Sequence, residues 1–279
     1  MKAFDRAALE RHAYGIRRKI VHTVASNGEG HAGGALSAAD SLAVIAFAAM
    51  GEETDPMLRD KLILSAGHKC LALYAMLVER GDLPEEALKT YNCLGTIFPG
   101  HPDATKISAI DFSTGSLGHG LPAGCGYALS AKRLGLDYRT YVIMGDGEQG
   151  EGSNWEAAAF AAQNRLDNLI AVLDENHLQI NGRTDQICKP TNYEDRYRAF
   201  GWDVQKVDGH DVGALYDALA KAMEQNGKPK LIVAETIKGK GIGFMEDNVK
   251  YHHWNPDAEQ AAAAIKEIDE FGAQRGWLQ

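Results

Sequence analysis

Short β-branched runs recur along this chain between Ala-rich stretches of helical length, and that alternation restricts the fold more than any other feature of the sequence. The clearest runs are Thr140 to Met144 (TYVIM), Leu169 to Leu173 (LIAVL), Asp203 to Val207 (DVQKV) and Leu231 to Ala234 (LIVA), with an earlier one at Lys61 to Leu64. Strands separated by helices pair in parallel and must be covered on both sides, so the reading is α/β: a parallel sheet flanked by helices on both faces. With 279 residues, 45% of them hydrophobic, and no repeat, low-complexity segment or linker, a single domain over residues 1–279 is expected.

Two helix starts are recognisable. Ser153-Asn154-Trp155-Glu156 reads as a capping box opening an Ala-rich helix through Gln163, and Ser37 reads as the cap of a helix through Met50 whose apolar residues lie on all sides, which implies burial.

Composition removes several function classes. No apolar run reaches the roughly 18 residues of a membrane span, and the first residues lack the apolar stretch of a secretory signal, so a soluble cytoplasmic protein is expected. A net charge of −9, from 29 basic against 38 acidic residues, lacks the basic footprint of a nucleic-acid binder. Cys70, Cys93, Cys125 and Cys188 have no metal-site or dithiol spacing and read as free, mostly buried thiols.

The most informative segment is Gly145 to Gly182, GDGEQGEGSNWEAAAFAAQNRLDNLIAVLDENHLQING: a strand end, an acidic Gly loop, a helix, a second strand, then Asn176. In an open α/β sheet the carboxyl ends of neighbouring strands form the ligand crevice, where Asp146 and Asn176 would meet. Mg²⁺ takes hard oxygens in a near-octahedral shell, commonly a few protein groups plus phosphate oxygens. Asp146 can offer a carboxylate, Asn176 an amide oxygen and Leu178 a main-chain carbonyl, while Gly145 and Gly147 leave the backbone bare for a diphosphate to approach.

This segment resembles the thiamine-diphosphate signature of transketolases and related enzymes. The resemblance implies thiamine diphosphate as cofactor, with Asp146, Asn176 and the Leu178 carbonyl on Mg²⁺, or on Ca²⁺ or Mn²⁺ in its place. Four histidine contexts extend it: His31 in GEGHAGGALS, His68 in LSAGHKCLALY, His101 in PGHPD and His252 in VKYHHWNPD. In the family such residues line the channel to the thiazolium carbon, His68 and His252 nearer the diphosphate, His31 and His101 at the donor sugar's hydroxyls, with His253 the alternative to His252. Imidazoles can bond hydroxyls and move protons there.

STGSLGHG, residues 113–120, has no P-loop ending and is similar to the TTGPLGQG segment of transketolases, where Gly115 and Leu117 would contact the cofactor's rings; Ser116 and His119 depart from it. Glu151 matches a subunit-contact carboxylate. Lys238 and Lys240 read equally as diphosphate-facing or as a solvated basic turn.

In the resembled family, the glutamate that activates the cofactor and the arginines that bind substrate phosphate belong to a following domain. The sequence ends at Gln279, where that domain would begin, so the expectation is an N-terminal subunit of a split transketolase. A C-terminal subunit would supply the catalytic Glu, in an α₂β₂ assembly acting on sugar phosphates. Asn92 stands where typical transketolases carry an Arg, which predicts a sugar other than the usual pentose phosphates. The alternatives are an E1 α-type subunit of a 2-oxoacid dehydrogenase, a deoxyxylulose-phosphate synthase fragment, or a non-catalytic partner-binding subunit.

Overall fold

The computed structural model describes residues 1–188 and 191–278. Its helices are α1 (Arg6–Asn27), α2 (Ala32–Ser37), α3 (Ala39–Val44), α4 (Cys70–Glu79), α5 (Gly120–Leu134), α6 (Gly152–Gln163), α7 (Thr184–Ile187), α8 (Tyr193–Ala199), α9 (Val212–Ala222) and α10 (Ala258–Gln274). The strands are β1 (Lys61–Leu64), β2 (Thr140–Gly145), β3 (Leu169–Glu175), β4 (Leu178–Gln179), β5 (Gly182–Arg183), β6 (Asp203–Asp208) and β7 (Lys230–Glu235).

Five strands form one parallel sheet in the order β1-β2-β3-β7-β6, and β4 with β5 makes a small antiparallel hairpin. Every residue of β1, β2 and β3 is buried, as a doubly covered sheet requires, whereas the edge strand β6 is half-exposed. Successive side chains on a strand point to opposite faces. Tyr141, Ile143, Ile170 and Val172 accordingly join a core with α1, α3, α4 and α9, while Val142, Met144, Ala171 and Leu173 join a second core with α5, α6 and α8. The five predicted strands are the five of the parallel sheet, each within a residue or two of its expected ends, while the short β4 and β5 were not predicted.

Both predicted caps are corrected. The helix after the GDG loop starts two residues earlier, with Glu151 at the cap position and no side-chain cap bond. Ser153 Oγ instead donates to the Gly118 carbonyl at 2.7 Å, and Glu156 is exposed. Ser37 ends α2 rather than starting a helix, because its hydroxyl is taken by Asp174 at 2.6 Å. The stretch to Met50 is buried as expected but breaks at Ala38 and closes in a π turn, Ile45–Ala49. Of the four cysteines only Cys70 and Cys125 are buried; Cys93 and Cys188 are exposed. No described helix is long and apolar enough to cross a membrane.

Candidate active site

Parallel pairing sends the carboxyl ends of β1, β2, β3 and β7 to the same side, so the turns that leave them meet. A cavity of about 410 Å³ opens there. After β1 come His68 and Lys69; after β2, Asp146 and Gly147; after β3, Asn176 and Leu178; after β7, Lys238. His31 enters from the start of α2, His252 from a short turn at Val249–His252, and His101, Gly115 and Leu117 from the long connection before α5. The structure thus brings every sequence-predicted site residue to one cavity. Asn92 is not among its lining residues: it lies at the surface with φ 57°, donating to Glu29 at 2.7 Å.

The distant segments are stitched by backbone. Gly30 and Trp254 exchange both bonds, at 3.0 and 2.8 Å, which fixes the His31 segment beside that of His252. Gly67 packs so closely on Thr114 and Gly115 that a β-carbon would sit 2.8 Å from their backbone atoms. The imidazoles gather as a result, with His31 centred 5.6 Å from His68, 6.3 Å from His101 and 5.5 Å from His252. His253 is also near, 4.6 Å from His31, but is exposed; His252 is the one that lines the cavity.

The Asp146 carboxylate accepts from its neighbour Gly147 N at 2.8 Å and from His177 N at 2.6 Å. His177 holds φ 63°, a left-handed turn that carries the chain from the Asn176 side chain back to the Leu178 carbonyl. That carbonyl accepts from Lys238 Nζ at 2.9 Å, and Lys238 Nζ also donates to His252 Nδ1 at 2.9 Å. Lys238 and Lys240 therefore differ. Lys238 is buried in the site, while Lys240 is half-buried and pairs with Glu246 at 3.4 Å outside it.

Burial governs the charges. It pushes Asp146 up to about 6, with Lys69 opposing and the nearby Asp174 adding to the rise. Burial also brings Lys238 down to about 8, helped by Lys69. The imidazoles fall further for the same reason, assisted by the lysines and by one another: His31 to about 4, His252 to about 3 and His68 to about 2. At neutral pH these three rings are uncharged, able both to donate and to accept.

The donor set fits a hard divalent cation bound together with a phosphate-bearing group. Asp146, Asn176 and Leu178, which can offer a carboxylate, an amide oxygen and a carbonyl, line the same cavity, and no cluster of three or more His, Cys, Asp or Glu suited to a metal occurs among the described residues. A buried carboxylate whose charge its surroundings disfavour would be relieved by a cation, and phosphate oxygens would complete the shell. The bare Gly147 and the two ammonium groups suit the accompanying anion.

Three residues escaped sequence reasoning. Lys69, beside His68, is buried and pairs with Asp174. Asp174 lies two residues before Asn176, and the two-residue strand period was the signal that puts them on one face. Glu148, within the GDG loop, accepts from Gly118 N at 2.8 Å, Gly145 N at 3.1 Å and the Ser65 hydroxyl, tying the 113–120 loop to the β2 turn. Glu151 is exposed at the cavity mouth, as is the Ile180 side chain that also lines the cavity.

Residues 9–275 match the family model described as "Transketolase, thiamine diphosphate binding domain". The chain is 40% identical over 257 residues to one subunit of the apulose-4-phosphate transketolase of Phocaeicola vulgatus, covering 91% of each. It is 42% identical over 270 residues to a 6-deoxy-6-sulfo-D-fructose transketolase subunit of a Clostridium species, covering 95% of this chain and 98% of that one. Among solved structures it resembles the transketolase of Leishmania mexicana with TM-score 0.85 and 29% identity, over 98% of this chain and 46% of that one. The Campylobacter jejuni transketolase gives TM-score 0.85 and 29% identity, over 98% and 48%. The chain spans a little under half the length of those solved transketolases.

Proposed function

The chain belongs to the transketolase thiamine-diphosphate-binding family, and from that premise we propose that it is one subunit of a transketolase, moving a two-carbon ketol group from a ketose phosphate to an aldose. The observation that carries this is the single cavity in which Asp146, Asn176 and the Leu178 carbonyl meet Lys69, Lys238 and four histidines. When bound, thiamine diphosphate supplies the nucleophilic carbon that attacks a ketose carbonyl.

The chain's own residues hold and orient. Asp146, Asn176 and the Leu178 carbonyl would take Mg²⁺, with Ca²⁺ or Mn²⁺ able to use the same hard oxygens. Gly147 admits the diphosphate, and His68, Lys69 and Lys238 face its charge; Lys238 would leave the Leu178 carbonyl for it. Gly115 and Leu117 would contact the cofactor's rings. His31 and His101 would bond sugar hydroxyls, His252 would serve both the diphosphate side and the substrate, and the uncharged rings of His31 and His252 can take or return a proton as carbonyl and alkoxide interconvert.

The glutamate that activates the cofactor would come from a pyrimidine-binding subunit docked over the cavity mouth, where Glu151 faces out, in an α₂β₂ assembly with two shared sites. The naming of both relatives as subunits, each covered almost end to end, supports this arrangement. The exposed thiols of Cys93 and Cys188 suit a reducing, cytoplasmic setting.

The sugar is proposed to lie outside the usual pentose-phosphate pair. Asn92 presents an amide where typical transketolases carry an Arg, and the relatives are named for apulose-4-phosphate and sulfofructose. Co-expression with a pyrimidine-domain partner, followed by a ketol-transfer assay across several ketose phosphates, tests the reading. Turnover only in the complete mixture of both subunits, thiamine diphosphate and Mg²⁺ is expected. Cofactor binding without ketol transfer would overturn it, and Asn92→Arg leaving the ranking of sugars unchanged would overturn the substrate part.

A further inference from the structure

Asp174 is buried at the end of β3, and every bond it makes has a separate origin in the fold. Its Oδ1 accepts from the Thr236 hydroxyl after β7, and its Oδ2 from Lys69 Nζ after β1, from Ser37 Oγ at 2.6 Å and from Asn176 Nδ2 at 3.1 Å. With both oxygens engaged and its charge answered by Lys69, Asp174 is not itself a cation ligand although it lies two residues from one. Asn176 Nδ2 has a second partner in Ser37 Oγ at 3.3 Å, and Asn176 Oδ1 accepts from Leu178 N at 3.2 Å. A carboxylate can only accept and a backbone N–H can only donate. The two ends of the amide are thereby told apart: NH₂ inward to Asp174, oxygen outward.

We propose that Asp174 is a positioning residue that fixes the Asn176 amide with its oxygen toward the cation, excluding the flipped rotamer that would present an NH₂ group there. This rests on the reading that the cavity binds a divalent cation. Partners that orient a ligand without touching the metal commonly carry 10- to 100-fold of affinity, and an amide with two unlike ends depends on such a partner more than a carboxylate does.

The test is a double-substitution cycle on the full chain with thiamine diphosphate present, titrating Mn²⁺ and following the free ion by electron paramagnetic resonance. Asp174→Asn alone is expected to weaken Mn²⁺ binding by about 10- to 100-fold. Asn176→Asp has oxygen at both ends, so in the Asp174→Asn background it should recover much of that loss, whereas in the native background it sets two carboxylates against each other and gains nothing comparable. Asn176→Asp acting equally in both backgrounds, or Asp174→Asn binding as the native chain does, would overturn the inference. Should Asp174→Asn fail to fold by circular dichroism, Ser37→Ala replaces it, since that change removes one hydrogen bond from Asp174 and the amide's other anchor; Mn²⁺ binding weaker by about 10-fold is then expected, and native binding would overturn the inference. A native chain that takes up no Mn²⁺ would instead refute the cation reading of the cavity, and this inference with it.

Discussion

Gly67→Ala puts the close approach of two site-bearing turns under direct test. Gly67 has an ordinary backbone conformation, so alanine meets no dihedral penalty and the effect is steric. Its β-carbon would lie 2.8 Å from Gly115 N, Thr114 C and Thr114 Oγ1. Ordinary separations begin near 3.5 Å, so the turns must part by about 0.7 Å. Thr114 cannot swing aside freely, because its hydroxyl donates to the Leu64 carbonyl at 2.7 Å. Overpacking of this kind costs about 1–3 kcal/mol, and loss of that bond about 1 kcal/mol more, giving a total of about 2–4 kcal/mol. The chain should still fold, but with Gly115 and Leu117 displaced from His68 by more than the ~0.5 Å a site tolerates, cofactor-dependent turnover should fall about 10- to 100-fold. Gly126→Ala is the matched control. It lies inside α5 with nothing within 4 Å of its added carbon, and should stabilise by about 0.5–1 kcal/mol through helix propensity alone. Urea unfolding and assays of the assembled enzyme measure both variants. Native stability and turnover in Gly67→Ala, or an equal loss in Gly126→Ala, would refute the packing argument.

Lys69→Met leaves Asp174 buried without its cation and should lower unfolding free energy by about 3–5 kcal/mol; a loss under about 1 kcal/mol in urea would show the pair to be dispensable. Asp40 is buried against Arg17 and accepts from His210 Nδ1 at 2.7 Å, and the Arg17 charge holds its carboxyl below the ordinary 3.8 despite burial. Its folded pKa is depressed, so its contribution is complete above 3.8 and is lost as pH falls through the lower folded value. Asp40→Asn should therefore cost about 3–5 kcal/mol at neutral pH, with the gap to the native chain closing below pH 3.8; a gap that stays constant on acidification contradicts this. Chelation by EDTA in the presence of thiamine diphosphate should lower the melting temperature and Mg²⁺ should restore it, by the equivalent of about 2.7 kcal/mol when the ligand stands 100-fold above its Kd; no shift would mean that the cofactor binds without metal.

The sheet was legible because its signal is local: β-branched runs such as LIAVL bury on both faces wherever they sit. Asp146 and Asn176 were legible because they stand at strand ends, whose position the runs define. The helix caps were not. Ser153 and Ser37 each satisfy a local rule, but each hydroxyl is claimed by a group far along the chain, Gly118 in one case and Asp174 in the other. The buried charges escaped for the same reason: Lys69 and Asp174 are separated by 105 positions and only the β1-β2-β3 order brings them together. Asn92 shows a further limit. Its substitution for Arg reads as a change of substrate, yet the fold also asks for a residue tolerant of φ 57° and able to donate to Glu29, demands no composition pattern reveals.

The left-handed residue His177 has a consequence for anyone wishing to move the proposed metal site to another protein. Asn176 and Leu178 both line the cavity because the intervening residue reverses the chain at the strand end, while its N–H steadies Asp146. Grafting an Asp and an Asn onto a foreign strand pair would carry over two oxygens and lose the third. The portable unit is instead the end of β3, a residue that accepts positive φ, and the β4–β5 hairpin that holds the turn closed. A host with valine or isoleucine at the position of His177 would resist the turn and would have to be changed there first.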